Sequence, residues 1–407
     1  MIFKNIKKCR LCNSKNLIKI LNLKDQPSSN ALRSSLRIKE KIIPLSILFC
    51  KTCKIVQLSS TANPKYLFNH YVWVTNTSQS ARNYSKIFCN RVIQKSKNNS
   101  FIVEIASNDG TFLKPFKKKN RKVLGIDPAK NIAKIARKEG IETIPSFFNV
   151  KCAEKIKKKH GSADVIFARN VIPHVKDILS VIQGMHNLLS REGTGIIEFH
   201  YSKIIQDELH YDSIYHEHLF YFTVNTLTSL CKKYGLFAFD ADVSPISGGS
   251  IVLYFAKSKK KISKNLKTLI RNENLNKVNT LLKWKSFAKK SIKHSKDFKL
   301  RIKTLSQNYN IIGYGASARS STLLNFCGIN SKIIKKIIDK NKLKKNKFTP
   351  GSSIKIVSFE DEIKQISKYS LVVILAWNFK KEIIKDLKKN NFKGKFLLPL
   401  PNKIKLI

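Results

Sequence analysis

Phe101-Ile-Val-Glu-Ile-Ala-Ser-Asn-Asp-Gly-Thr-Phe-Leu113 reads as a short apolar strand, a tight polar turn and the first residues of a helix. A nucleotide-like ligand is commonly held at such a point, because a helix N-terminus presents free amides and a glycine lets backbone come close. Lys122-Val-Leu-Gly-Ile-Asp-Pro128 follows as a second strand ending in Asp127. A carboxylate about 20 residues past the first turn is placed to accept from both ribose hydroxyls. The turn is not G-x-G-x-x-G: Ala106 stands at the first glycine position and only Gly110 remains. That weakens a dinucleotide reading and leaves open a strand–helix–strand unit with no ligand.

Working outward, residues 101 to about 257 alternate strands with helical segments. The expected strands are Phe101–Ala106, Lys122–Ile126, Glu142–Ile144, Val165–Ala168, Thr194–Phe199 and Phe237–Val243, with helices over Asp177–Leu189 and Thr226–Tyr234. This is the pattern of a doubly wound α/β sheet. Ligands bind beyond the strand C-termini of such sheets, which puts Asn170 and His174 at the right end. Upstream, Tyr66 to Ser78 is crowded with aromatics and hydroxyls, including Tyr71 and Trp73. It reads equally as a lid over a pocket or as an apolar latch.

Composition narrows the classes. A chain of 407 residues exceeds what one core organises, so two or three domains are expected. A hydrophobic content of 42% argues against general disorder. The formal net charge of +52 would ordinarily suggest nucleic acid or an anionic membrane. The basic residues, however, are mostly lysines scattered through helices, and the arginines that read phosphates and bases bidentately are scarce. A solvated lysine surface is the simpler reading, and no nucleic-acid or membrane partner is expected. No signal peptide or span-length apolar run is present, so a cytoplasmic protein without a disulfide framework is expected. The oligomeric state is not legible.

Cys9-Arg-Leu-Cys12 and Cys50-Lys-Thr-Cys53 form two C-x-x-C turns, and four thiolates complete a closed tetrahedral zinc site. Such a site has no open position, so the zinc is read as structural. The 37 residues between the turns must build their own hairpin or loop. Cys89, Cys152, Cys231 and Cys327 stand singly in apolar patterns as core residues.

The densest polar–aromatic cluster is Glu198-Phe-His-Tyr201 with Tyr211-Asp-Ser-Ile-Tyr-His-Glu-His-Leu-Phe-Tyr-Phe222. Here a histidine can take a proton, a carboxylate can orient it and a phenol can donate to a developing oxyanion. A metal reading of His216-Glu-His218 lacks a third ligand. Residues 258 to about 307 are lysine-rich and helical, with Leu266, Leu269, Ile270, Leu275, Val278, Leu281 and Leu282 read as one buried stripe. Asn310-Ile-Ile-Gly-Tyr-Gly-Ala-Ser-Ala-Arg319 then opens a second strand–turn–helix unit. Gly313 and Gly315 there would admit a phosphate and Arg319 would add charge.

Glu-x-Ala-x-x-x-Gly followed by Gly-Ile-Asp-Pro resembles the S-adenosylmethionine site of class I methyltransferases. Joined to the paired cysteines, Tyr215-His-Glu-His218, Gly248-Gly-Ser250 and Gly313-Tyr-Gly-Ala-Ser-Ala-Arg-Ser320, it resembles, over nearly the whole chain, the zinc-containing sugar C-methyltransferases, which methylate C-3 of nucleotide-linked 4-keto-deoxysugars. The resemblance implies three parts: a zinc module over 1–62, a Rossmann-like methyltransferase sheet with its lid over 63–257, and a helical linker with a smaller Rossmann-like α/β domain over 258–407. It implies His218 as base, with Glu217, Tyr215 and Tyr71 beside it. Glu104, Ser107, Gly110, Asp127, Pro128 and Asn170 would hold S-adenosylmethionine, and Gly248, Ser250, Gly313, Gly315 and Arg319 would hold the sugar nucleotide. His200, Ser247 and Ala106 depart from the family pattern, which bears on the sugar more than on the reaction. The rivals are a methyltransferase of nucleic acid or another small molecule, and a non-catalytic zinc-containing scaffold.

Overall fold

The computed structural model describes residues 2–63, 74–96, 100–244 and 248–407. Two compact units are present. One comprises Pro64–Tyr201 with Leu219–Asn279, and the other comprises Met1–Asn63, Ser202–His218 and Thr280–Ile407.

The first unit is built on seven strands: β1 (Phe101–Ile105), β2 (Lys122–Ile126), β3 (Thr143–Ile144), β4 (Ala163–Arg169), β5 (Leu189–His200), β6 (Phe237–Ser244) and β7 (Ser250–Ala256). Their spatial order is 3-2-1-4-5-7-6. β1 to β5 pair in parallel, and β7 runs antiparallel to both β5 and β6. The sequence reading accounts for six of these strands and not for β7. The run Ser250-Ile-Val-Leu-Tyr-Phe-Ala256 is buried throughout, so it shows no period-two alternation.

Helix α1 (Gln79–Ile93) is started by Ser78, whose hydroxyl accepts from the Ala81 amide. It lays Tyr84, Phe88 and Val92 against Phe112, Phe116 and Phe167 in the core. Arg169 enters this aromatic cluster, its guanidinium 3.2 Å from the Phe112 ring centroid. Its charge is met by Glu198, 2.6 Å away and fully buried, whose other oxygen accepts from Ser244 at 2.6 Å. The sequence reading counts Glu198 among the acid–base candidates. Its two oxygens are instead committed to holding β4, β5 and β6 together.

In the second unit the segment between the cysteine pairs does form a hairpin. Leu17–Pro27 pairs antiparallel with Ile42–Cys50, and Val56–Leu58 adds a third strand. The C-terminal sheet contains β8 (Ile311–Tyr314), β9 (Lys336–Asp339), β10 (Lys355–Ser358), β11 (Leu371–Ile374), β12 (Lys395–Leu398) and β13 (Lys405–Leu406). Its order is 10-9-8-11-12-13, parallel except for the last pair. The chain is therefore the expected α/β class, with a cysteine module and two Rossmann-like sheets.

The single apolar stripe expected over 258–307 is not formed. Two helices, Lys264–Leu275 and α2 (Leu281–Asn308), are separated by a break, and Leu275 and Leu282 are 68% and 77% exposed. α2 buries Trp284, Phe287, His294, Phe298 and Ile302 instead. These share one face at 3.6-residue spacing. Among the described residues, no helix is long and apolar enough to cross a membrane.

Removing one partner of a buried ion pair strands the other charge, which costs about 3–5 kcal/mol. Glu198→Ala should therefore lower the unfolding free energy by that amount in urea titration. A loss below about 1 kcal/mol, the worth of an exposed pair, would show that Arg169 does not depend on it.

Candidate active site

The four sulfurs of Cys9, Cys12, Cys50 and Cys53 lie within 4.8 Å of one another. The Cys9–Cys53 and Cys12–Cys50 pairs are each 3.6 Å apart, and all four thiols are free of disulfides. Tetrahedral zinc with bonds of about 2.3 Å requires sulfurs roughly 3.8 Å apart, so the donor set fits this ion. Each C-x-x-C turn closes on a residue of left-handed backbone: Asn13 (φ 57°) donates to the Cys9 carbonyl at 3.0 Å, and Lys54 (φ 62°) to that of Cys50 at 2.9 Å. Gln57 donates to the Cys9 sulfur at 3.1 Å while accepting from the Arg10 guanidinium at 3.2 Å. Arg10 also reaches the Leu58 and Ser60 carbonyls at 2.6 and 2.9 Å, so it orients the site through its surroundings.

In the first unit, the turn after β1 holds three residues of positive φ: Ala106 (54°), Asn108 (52°) and Gly110 (75°). Ala106 thus occupies a conformation that glycine takes without steric cost, which is the physical reason to expect a glycine there. Asp127, at the end of β2, closes the turn. One of its oxygens accepts from the Asn108 amide and the other from that of Ala129, both at 2.9 Å. Burial raises its pKa, and the two amides oppose that shift. Glu104 is buried with one oxygen lacking any hydrogen-bond partner, and the buried Ser107 hydroxyl also has none. Desolvation pushes the Glu104 carboxyl well above the usual range. Unpaired buried polar atoms at a strand–helix turn are what a polar ligand would satisfy, so these residues fit S-adenosylmethionine. Asn170 (φ 51°) directly follows β4, its amide donating to the Glu198 carbonyl at 2.8 Å. Glu104 is the penultimate residue of β1, and Ser107, Gly110, Asp127, Pro128 and Asn170 follow the adjacent parallel strands β1, β2 and β4. Sequence reasoning misses two neighbours. Asn108 accepts from the Thr75 amide at 2.9 Å and Asp109 from the Asn76 amide at 3.0 Å, which ties the segment before α1 to the turn. Gly248 (φ 79°) and Ser250 stand before and at the start of β7 in the same unit. Tyr71 and Ser247 lie outside the described residues.

In the second unit, Tyr215 and His218 meet, with 2.7 Å between the phenol oxygen and Nε2 and 4.0 Å between ring centroids. Nδ1 of His218 is 2.7 Å from the Ser213 carbonyl. A carbonyl only accepts, so Nδ1 carries the proton, and in the neutral ring Nε2 is left as acceptor for the Tyr215 hydroxyl. Glu217 does not orient this imidazole, as the sequence reading expects. Both ring nitrogens are already held, and the Glu217 carboxyl instead accepts from Asn30 at 2.6 Å. Burial raises its pKa to about 7. His216 is also structural: Nε2 donates to the Ile43 carbonyl at 3.1 Å, and burial holds its pKa down at about 4. Among the described residues the only group of metal-ligating side chains is the four cysteines, so His216-Glu-His218 gains no third ligand.

The turn after β8 departs from expectation. A Cβ at Gly313 would press on Ile337 and Leu375, and one at Gly315 (φ 96°) would overlap Ala376. Both glycines are thus required by packing within the sheet. Arg319, expected as a free phosphate-binding charge, is bound bidentately to Asp212 at 3.0 and 3.1 Å. Its guanidinium is neutralised and fixed there. Gly313, Gly315 and Arg319 share their unit with Tyr215 and His218, whereas Gly248 and Ser250 belong to the other.

A parallel sheet of order 3-2-1-4-5 extended by an antiparallel seventh strand, with acidic residues ending β1 and β2, is the architecture of a class I S-adenosylmethionine-dependent methyltransferase. Three family models cover successive parts of the chain: "Putative zinc binding domain" over residues 9–68, "Methyltransferase domain" over 78–238 and "C-methyltransferase C-terminal domain" over 245–401. The C-methyltransferase NovU of Streptomyces niveus is 28% identical over 410 residues, covering 98% of this chain and 97% of its own. Together the three models and this relative support an S-adenosylmethionine-dependent C-methyltransferase that carries a zinc-binding module. Among solved structures, magnesium protoporphyrin IX methyltransferase from Synechocystis PCC 6803 matches 44% of this chain and 79% of its own, at 11% identity and a TM-score of 0.33. 1,6-Didemethyltoxoflavin-N1-methyltransferase from Burkholderia thailandensis matches 48% and 84%, at 14% and 0.34. Matches at these scores add nothing to the strand order.

Two outcomes follow from this geometry. Elemental analysis should find one zinc per chain, lost in Cys50→Ser. Because metal binding to such sites is worth on the order of 10 kcal/mol of folding energy, chelation should abolish the cooperative melting of the cysteine module. The second concerns Glu217. Its folded pKa lies above its unfolded value, so the native state holds the extra proton and stability falls as pH rises from about 4.5 to about 7. Glu217→Gln keeps an acceptor for Asn30 without the charge. It should be more stable than the parent at pH 8, by up to about 3 kcal/mol, and equal to it near pH 4. A gap independent of pH in denaturant titrations would contradict the assignment.

Proposed function

We propose that the chain methylates C-3 of a nucleoside-diphosphate-linked 4-keto-deoxysugar, with His218 as the base. The observation that carries this reading is the Tyr215–His218–Ser213 arrangement, in which a backbone carbonyl holds Nδ1–H and leaves Nε2 facing a phenol. A ketone at C-4 acidifies the C-3 hydrogen. His218 removes it at Nε2, and the electron pair of the broken C–H bond moves onto the C-4 oxygen. Tyr215, which donates to Nε2, turns its hydroxyl to that oxygen and so frees the base as it stabilises the enolate. S-adenosylmethionine would supply the methyl group: C-3 would take it with the enolate's electron pair as the carbon–sulfur bond breaks and S-adenosylhomocysteine leaves. Glu104, Ser107, Gly110, Asp127, Pro128 and Asn170 would hold S-adenosylmethionine, with the Asp127 carboxylate keeping lone pairs for ribose hydroxyls beyond those given to two amides.

The full-length likeness to a C-methyltransferase supports carbon as the acceptor, and a carbon acid needs a base of this kind. The family resemblance of Gly313, Gly315 and the residues around them supports the C-terminal sheet as the holder of the sugar nucleotide, with Gly248 and Ser250 also contributing. Tyr71 would act with the base from the segment before α1. A small charged substrate of this kind implies a cytoplasmic enzyme. The lysine-rich surface requires no nucleic-acid partner.

The test is mass spectrometry of the protein incubated with S-adenosylmethionine and a panel of nucleotide 4-keto-sugars, seeking the gain of one methyl on carbon. His218→Asn should lower turnover by at least about 100-fold while the affinity for S-adenosylmethionine stays within a few-fold. Near-parental turnover in that variant would remove His218 as the base. Failure to bind S-adenosylmethionine would remove the reading altogether.

A further inference from the structure

The Arg319–Asp212 pair lies in the interior, with the two side chains 14% and 1% exposed. The guanidinium grips both carboxylate oxygens, and the Trp377 indole N–H donates to one of them at 2.8 Å. The same guanidinium stands 4.7 Å over the Trp377 ring. Arg319 comes from α3 (Ala318–Cys327), which follows the β8 turn, and Trp377 from the short turn after β11. Asp212 comes from neither: it is the middle residue of the single-turn helix Tyr211–Ser213.

That turn is fastened on both sides. Tyr211 is fully buried, and its hydroxyl donates to Nδ1 of His294 at 3.0 Å, while Nε2 of His294 donates to the Pro399 carbonyl at 2.8 Å. The next residue after Asp212 is Ser213, whose carbonyl fixes Nδ1–H of His218. Nothing about stability demands a charge pair here, since buried ion pairs gain little over apolar packing of the same volume. What a bidentate fork adds is orientation.

We infer that Arg319, Asp212 and Trp377 form a clamp whose purpose is to set the tautomer and angle of His218 through the Ser213 carbonyl. Arg319 and Asp212 are positioning residues, and the diphosphate charge of the substrate is met by other groups. The functional importance of the clamp rests on the reading of His218 as base, but its geometry does not. If the Ser213 carbonyl swings away, the imidazole is free to place its proton on Nε2, where it can accept none.

The test uses the full-length zinc-loaded protein with 15N-labelled histidine, at a pH where the ring is neutral. The parent should show His218 as the Nδ1–H form. Asp212→Asn and Arg319→Gln should each shift it to a mixture of tautomers, and the double variant should be no worse than the worse single one. Trp377→Phe, which keeps the ion pair and removes one donor, should move it less in the same direction. Thymidine diphosphate, as a probe of the phosphate site, should bind Arg319→Gln within about threefold of the parent, a difference under 1 kcal/mol. Unchanged His218 signals in those variants that keep parental circular dichroism overturn the inference. If the single charge variants do not fold, the charge-neutral double variant and Trp377→Phe decide between these outcomes. A tenfold or greater loss of thymidine diphosphate affinity in Arg319→Gln with parental His218 signals also overturns it and returns Arg319 to the phosphate. Tautomer shifts alongside an active His218→Asn would leave the clamp standing and remove only the base.

Discussion

The carboxylate of Asp127 accepts from the amide of Asn108 across the end of the sheet and from the amide of Ala129 two residues further along its own chain. A turn that leaves a parallel strand through left-handed backbone cannot bond all its amides internally, and a buried amide without a partner costs about 1–3 kcal/mol. The carboxylate removes that cost and fixes the turn's path. The C-terminal sheet does the same with Asp339, which accepts from the Ala316 amide at 2.9 Å and from Asn341 at 2.8 Å. The two sheets part company beyond this point. Over Asp339 lies the buried Lys344, its ammonium 2.7 Å from the Ala316 carbonyl and 3.2 Å from the carboxylate. Asp127 has no lysine among its partners, and the unpaired oxygen of Glu104 lies on the strand next to it. One turn is neutralised by the protein itself; the other is left polar and incomplete.

This division follows from how the chain distributes its few acids. Of 26 Asp and Glu residues, eight described ones are buried: Glu104, Asp109, Asp127, Glu198, Asp212, Glu217, Glu273 and Glu362. Among the described residues, only Arg33 and Lys344 are buried out of 78 Lys and Arg. The excess positive charge is therefore a surface property. Lys151, Lys155, Lys157, Lys158 and Lys159 on a single helix are all exposed. Exposed pairs on such a surface are worth under about 1 kcal/mol each. Carboxylates inside act differently. Most take several donors at once, as Glu273 does from the Val224 and Asn225 amides at the start of the preceding helix. A charge count of the whole sequence hides this segregation.

The sequence is most readable where chemistry and local geometry coincide. Paired C-x-x-C turns dictate a four-sulfur site, and a strand ending in Asp127 dictates where the turn is tied. Periodicity is less informative. It misses β7, buried on both faces, and it merges two helices because Leu275 and Leu282 fit a stripe that the break between them disrupts. The roles within Tyr215–His218 are beyond its reach for a different reason. The partner that orients His218 is a backbone carbonyl, and every residue has one. Arg319 misleads because glycines before an arginine resemble a phosphate turn, while the acid that claims it stands 107 residues earlier.

Two histidines two residues apart show why the carbonyl matters. His216 and His218 each bond one nitrogen to a backbone carbonyl, of Ile43 and Ser213 respectively. The second nitrogen of His216 is buried and without a partner, and desolvation holds that ring neutral at any physiological pH. The second nitrogen of His218 faces a phenol. On the proposed reading, a carboxylate in place of the Ser213 carbonyl would stabilise the imidazolium and strengthen the base, but it would add a negative charge near an enolate that is itself negative. A neutral carbonyl fixes the tautomer without that repulsion. Glu217, raised towards neutrality by burial and turned to Asn30, is kept out of the relay by the same logic. The base is then left to act through geometry and through the phenol that releases it.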